Sequence, residues 1–127
     1  KMEFLLDETI WSAADAGNLS LLKVLIKTGL NINSQDEIGY SPLHAAVTYG
    51  HIKIVEYLLN EGANPNIQDI DGDTPLHTCE IPNIADLLIS KGANPNIKNY
   101  SGKSVREQAI ELENEEMITY WETKNIQ

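Results

Sequence analysis

The stretch YSPLHAAVTYGHIKIVEYLLNEGANPNIQDIDG, residues 40–72, sets the pattern for the whole chain. Ser41 is a good N-cap. Pro42 suits a first helical position, because its fixed φ is already helical and its missing N–H would find no partner there. Leu43, Ala46 and Val47 follow at i, i+3 and i+4, an apolar stripe along one helical face. Gly50 closes that helix. Ile52, Val55, Leu58 and Leu59 give a second stripe, and Gly62 stands where a helix end calls for a left-handed residue. From Ala63 to Gly72 the chain is rich in Asn, Asp, Pro and Gly, a turn composition. The unit reads as helix, tight turn, helix, extended turn. Helices this short need neighbours to bury their apolar stripes.

Neighbours are present. Gly17 and Gly50, Gly29 and Gly62, and Gly39 and Gly72 all stand 33 residues apart. SPLHAA (41–46) is echoed by TPLHTC (74–79), and GANPN occurs at 62–66 and again at 92–96. On these motifs the sequence resembles the ankyrin-repeat family, whose repeat has about this length and opens its first helix with T-P-L-H-x-A. The resemblance runs from about Glu8 onward. It implies an all-α solenoid of about four helix–turn–helix units with β-turn fingers, in one domain over 1–127. The units are an N-terminal cap repeat at about 1–39, repeats at 40–72 and 73–102, and a C-terminal cap repeat at 103–127.

In the first unit Ile10 matches Leu43, Ala13 matches Ala46 and Gly17 matches Gly50. Trp11 falls where His44 stands and Thr9 where Pro42 stands, departures expected of a cap that meets water on one side. Leu5 and Leu6 are expected to lengthen this first helix or pack under it, and Leu21, Leu22, Leu25 and Ile26 to line the second. The third unit is irregular. Gly72 and Gly102 are only 30 residues apart, and the register with the central unit changes between Glu80 and Ile84. The three lost residues predict a first helix one turn short, Pro82 at the start of the second helix, and a notch or bend at 79–83. That notch reads either as a shaped pocket for a partner or as neutral loss in a tolerant loop. In the fourth unit Val105, Ala109, Met117, Ile118 and Trp121 are placed to pack inward. Arg106, Glu107 and Glu111 read as the outward face of a cap, and the acidic run through Glu116 as a solvated face.

Composition narrows the function. Nine Lys and Arg against 19 Asp and Glu give a net charge of −10, which disfavours nucleic acid and anionic membrane as partners. The single cysteine, Cys79, allows no internal disulfide, which suits a reducing compartment. No apolar run approaches the ~18 residues of a membrane span, and no signal peptide opens the chain, so a cytoplasmic or nuclear location is expected.

Catalytic chemistry is not legible. Cys79 sits where the repeat wants a small buried alanine and reads as a structural thiol. His44 and His77 read as structural too: in the resembled family the histidine of TPLH bonds the backbone of the adjoining turn. Asp69, Asp71, Asp73 and Glu80 have the spacing of calcium-loop positions 1, 3, 5 and 12, but Thr74 stands where such a loop requires glycine and Pro75 follows. Neither a metal site nor a cofactor is expected, and the chain reads as a non-enzyme.

Binding is what the architecture supports. In ankyrin proteins the finger tips and first helices form the concave recognition face. Carried over, the open positions are Glu37, Ile38 and Tyr40 on the first finger, Ile70, Asp71 and Asp73 on the second, and Lys98, Tyr100 and Lys103 on the third. Thr48 and Tyr49 join them from the first helix of the central unit, and Asp15 and Ala16 from that of the first. Amphipathic aromatics on such a face are favoured anchors. The tip acids favour a protein partner with a basic patch, bound by a monomeric adaptor or regulator; Asp36 and Asp69 are partly engaged in shaping their own turns. A dedicated chaperone or assembly factor for a basic client fits the same charge. Asn33, Asn66 and Asn96 occupy the turn position at which ankyrin proteins are hydroxylated, although Pro65 and Pro95 depart from the preferred preceding residue.

Overall fold

The structure, a computed structural model, describes residues 10–126. Among them are seven helices and no strand. Helix α1 covers residues 10–16 and is followed by α2 (Leu19–Lys27), α3 (Pro42–Thr48), α4 (Ile52–Asn60), α5 (Pro82–Ser90), α6 (Val105–Glu111) and α7 (Glu115–Thr123). The expectations for Leu5, Leu6 and Thr9 lie outside the described residues.

Caps set the helix starts. Ser41 and Ser104 each accept a backbone N–H from the third residue of α3 and α6, and that residue's side chain bonds back to the cap's N–H. In α6 the reciprocal group is the Glu107 carboxylate, whose pKa those bonds to Ser104 lower. In α3 it is the imidazole of His44, so histidine takes the place of the usual glutamate in a capping box. Helix α4 ends with Gly62 at φ 92° and paired bonds, Gly62 N–H to Leu59 C=O and Ala63 N–H to Leu58 C=O. That pattern is the Schellman closure a glycine at this position predicts.

The core is a single apolar column through all units. It includes Ile10 and Leu22, then Leu43, Val47, Ile54, Val55 and Leu58, then Leu76, Ile84 and Leu88, and ends at Met117 and Trp121. One expected stripe residue is corrected. Ile52, the first residue of α4, is exposed, and Ile54 is buried in its stead. The first turn of a helix projects past its neighbour, so the core stripe starts one step later.

The third unit departs further than the sequence predicts. Its first helix is not one turn short; it is absent. Residues 75–78 form a single tight turn held by i→i−3 bonds from His77 to Thr74, Thr78 to Pro75 and Cys79 to Leu76. The chain is extended at Ile81, and Pro82 opens α5 as expected. One turn's worth of residues was too much to lose from a seven-residue helix, because what remained fell below the length that can sustain i→i−4 bonding. Cys79 donates its S–H to the Ile81 carbonyl at 3.2 Å, and burial pushes its thiol up to about 11.

The histidines tie the units together. His44 Nδ1 accepts the Ser41 N–H at 3.2 Å, so Nε2 carries the proton and donates to the Asp73 carbonyl at 2.9 Å. His77 repeats the arrangement, with Nδ1 on the Thr74 N–H and Nε2 on the Lys103 carbonyl. Those two carbonyls also close the fingers, accepting the N–H of Asp69 and Asn99. In the first unit the Trp11 indole N–H reaches a loop carbonyl as well, that of Ser34.

The fingers are alike in build. Residues 36–40, 69–73 and 99–103 each fold so that the side chain of Asp36, Asp69 or Asn99 accepts two backbone N–H groups of its own turn. Adjacent tips are joined by one backbone bond, Ile70 N–H to Ile38 C=O and Tyr100 N–H to Asp71 C=O. Close approach demands glycine here. A Cβ on Gly72 would lie 2.6 Å from the Tyr100 nitrogen, and one on Gly39 would lie 2.8 Å from Asp69 and Ile70 backbone atoms.

The fourth unit carries charge where the second carries leucine. Arg106 and Glu122 hold the places of Leu43 and Leu59, which are buried against the following unit. Arg106 pairs with Glu122 at 3.0 Å.

Two measurements check these assignments. Burial, partly opposed by the bond to the Asp73 carbonyl, holds the His44 imidazole below its ordinary value of 6.5. The unfolded chain therefore takes up a proton that the folded chain refuses. The stability contributed by neutral His44 is complete above about pH 6.5 and is lost as the pH falls below it, by at most about 1.4 kcal/mol per unit from this one site. Urea unfolding between about pH 7.5 and about pH 5.5 should show a steeper loss for wild type than for His44→Gln; identical slopes would contradict the buried-imidazole account. Gly72 and Gly102 share a φ of 79°, but nothing lies within 4 Å of a Cβ at Gly102. Gly102→Ala should cost about 1–2 kcal/mol of backbone strain. Gly72→Ala should cost at least about 1 kcal/mol more through overpacking, and equal losses would dissolve the close contact between fingers.

Candidate functional site

The finger tips and the C-terminal ends of the first helices carry most of the side chains singled out from the sequence. Ile38, Ile70 and Tyr100 are 55%, 62% and 71% exposed although each lies at a backbone-bonded tip. The bonds between tips fix the main chain and leave the side chains projecting. The apolar groups are not at one repeat position: Ile70 and Tyr100 stand where the first finger has Glu37, and Ile38 stands where the second has Asp71. Glu37 and Asp71 are exposed beside them.

Tyr40 is placed differently. It is half-buried, its ring 5.9 Å from the His44 ring and nearly parallel to it. Burial raises its phenol to about 12, with the Thr48 side chain pulling the other way and Asp15, Tyr49 and Asp36 adding to the rise. Tyr40 therefore runs from the finger back along α3 and joins the two groups of positions. Tyr49, the C-cap of α3, is 60% exposed and stacks on His51. Asp15 has its pKa raised by burial first and by Asp36 second, against a lowering by His51. This part of the face holds more negative charge than it neutralises.

The third finger is less available. Lys103 forms an ion pair with Glu111, which removes much of its charge from the face. Lys98 lines an open cleft of about 320 Å³ with Pro95, Asn96, Ser104, Arg106, Glu107 and Ile126, away from the Tyr100 tip. Asp73 accepts a bond from the Asn99 amide at 2.9 Å. Gln35 donates to the carbonyls of Gly39 and Gln68 and so also serves to stack the fingers.

Asp69, Asp71 and Asp73 bring one carboxylate oxygen each within 4.8 Å of the others. Asp69 Oδ1 already accepts the N–H groups of Asp71 and Asp73, and the turn is shaped by those bonds. Asn33 and Asn66 are likewise engaged, accepting the N–H groups of Asn64 and Asn94 in the next unit at 2.9 and 2.7 Å.

One residue, Leu112, escaped the sequence reading, and Glu111 was read only as the outward face of a cap. Glu111 and Leu112 are the fourth unit's counterparts of Thr48 and Tyr49, and Leu112 is 57% exposed. The signal was present in the shift of 63 residues that aligns Ser41 with Ser104, but the polar run after Ala109 masked it. The third unit has no counterpart, because those positions are among the residues it lacks.

The family model for ankyrin repeats matches residues 10–120, as three copies. A fowlpox virus (strain NVSL) protein described as an ankyrin repeat protein is 47% identical over 38 residues, which is 30% of this chain. The match spans 27% of that protein's own length. Ankyrin repeats generally serve as protein–protein interaction modules. With its stacked helix pairs, bonded fingers and the histidines of SPLH and TPLH, the chain belongs to the ankyrin repeat family.

Proposed function

We propose that this chain is a binding module, an adaptor or regulator that holds one partner protein on its finger and first-helix face without chemistry of its own. The observation that carries the reading is the line of exposed Ile38, Ile70 and Tyr100 on tips whose backbones are locked to one another. Large apolar side chains on a rigid surface bind at low entropic cost, because nothing need be ordered on this side. Tyr49 extends the line along α3, and Leu112 along α6.

Charge supplies the second half of the argument. Glu37 and Asp71 flank the tips, and Asp15 and Asp36 already disfavour each other. A basic partner relieves that repulsion and is steered toward the face, with an on-rate that falls as salt rises. Nucleic acid, with its negative phosphates, meets like charge here and is repelled. Among the described residues no helix is long and apolar enough to cross a membrane.

The test compares wild type with Ile38→Ala/Ile70→Ala/Tyr100→Ala in affinity capture and in titration of the captured protein. Tyr40 is left intact because its ring packs on His44. The triple variant should fold normally and bind at least about tenfold more weakly, since each anchor is worth about 1 kcal/mol or more. Wild-type affinity should also fall as salt is raised. A partner held equally by both proteins, with no salt dependence, would refute this face.

A further inference from the structure

The three seams between successive units are not tied alike. His51, Ile81 and Asn114 hold one repeat position, the N-cap of the second helix. Between the first and second units His51 Nε2 donates to the Asp15 carbonyl at 2.8 Å, and its ring lies 2.9 Å from where a Cβ on Gly17 would stand. Between the third and fourth, the Asn114 amide faces the Glu80 carbonyl at 3.5 Å. Between the second and third, Ile81 covers Gly50 as His51 covers Gly17, but its side chain has no donor to give.

A second repeat position shows the same break. Tyr57, Leu87 and Tyr120 are equivalent, and each faces one of a second equivalent set in the preceding unit, Lys23, Glu56 and Asp86. Lys23 lies over the Tyr57 ring at 5.5 Å. Tyr120 donates its O–H to Asp86 Oδ1 at 2.5 Å, and Lys124 stands 3.7 Å from the same oxygen. Leu87 offers Glu56 nothing polar, and Glu56 turns to Lys53 of its own helix. Both aliphatic residues fall on the one seam where a first helix is missing. Apolar contact holds such surfaces together in water but is non-directional, whereas a hydrogen bond fixes an angle.

At its finger end the middle seam is fully tied. Asn66 accepts the Asn94 N–H and donates to the Gly92 carbonyl. The Tyr100 N–H reaches the Asp71 carbonyl, and the Asn99 amide reaches Asp73. In the second unit α3 leads away from its finger and α4 returns, so these ties lie at one end of the helix pair and Ile81 meets Gly50 at the other. We infer that the stack has one adjustable seam, between the second and third units, hinged at the fingers and free to rock at the helix-turn end. Rocking changes the angle between the two halves of the stack, and with it the curvature offered to a partner, by the small sliding of packed helices that shear motions use. The inference stands whichever face a partner uses.

Nitroxide labels on cysteines introduced in pairs at Ser20, Lys53, Asn83 and Glu116, equivalent and exposed positions near the helix-turn end, read the three seams of the whole chain. Cys79 is buried with its thiol held protonated, so it escapes labelling. Neighbouring helices stand about 8–10 Å apart, a separation that dipolar broadening in frozen solution resolves. The Lys53–Asn83 distance distribution should be about twice as wide as those of Ser20–Lys53 and Asn83–Glu116. The pair Glu61–Lys91, across the same seam at the finger end, should be narrow. Leu87→Tyr, which sets a phenol opposite Glu56, should narrow the Lys53–Asn83 distribution, and Ile81→Asn should do so independently. Tyr120→Phe, which keeps the ring and removes the bond to Asp86, should widen Asn83–Glu116. Equal widths at the three seams of the otherwise wild-type chain would overturn the inference, and they decide alone where a substitution prevents folding. A Lys53–Asn83 width that neither folded variant narrows, or a Glu61–Lys91 distribution as wide as Lys53–Asn83, would overturn it too.

Discussion

The bond from an imidazole to the carbonyl that closes the next finger is the constraint on which the rest of the stack depends. His44 and His77 each join three things: the N-terminus of their own segment, the exit of a finger, and the start of the following unit. A neutral imidazole does this by accepting on one ring nitrogen while donating from the other. A carboxylate lacks the donor and an ammonium lacks the acceptor. In the fourth unit Glu107 replaces histidine and performs the capping half of the task alone.

The fourth unit differs from the second in another respect. Internal units bury leucine against leucine, so each face is sticky and requires a neighbour. The fourth unit changes two of those residues into Arg106 and Glu122, which satisfy each other across the outer surface. Such an exposed pair adds little stability. Its value lies in being wettable where Leu43 and Leu59 are not.

The fold was legible because the repeat writes each instruction more than once. Glycine spacing, the SPLH and TPLH openings and the GANPN turns all agreed on one register, and consistency of that kind is what specifies a structure. What was misread required knowledge across units. Ile52 has the right period for the core, but burial depends on what lies opposite, and that is not written locally. The third helix was expected to shorten and instead vanished, since helix formation is cooperative and has no proportional response to lost residues. Of the candidate site, the exposure of the tips Ile38, Ile70 and Tyr100 was legible from the pattern. Tyr40 was placed among them although it lies back along α3, and Lys103 was taken as an open charge although Glu111 claims it. Leu112 went unnoticed because the acidic run around it resembled solvated surface. Side-chain direction and ion pairing are the links a linear reading lacks.

The absent helix in the third unit bears on how the molecule comes apart. In a linear array, stability is a sum of each unit's own contribution and the contacts with its two neighbours. Both kinds of contribution shrink at residues 75–81, where a helix is reduced to one turn and an extended link. Cooperativity is transmitted less well through such a joint. The column is therefore expected to come apart as two blocks, one ending at α4 and one beginning at α5, coupled through the fingers, His77 and the helix contacts across the joint. Backbone amides around Thr78 and Glu80 report on that joint, opening to solvent exchange at a lower free energy than those of α4.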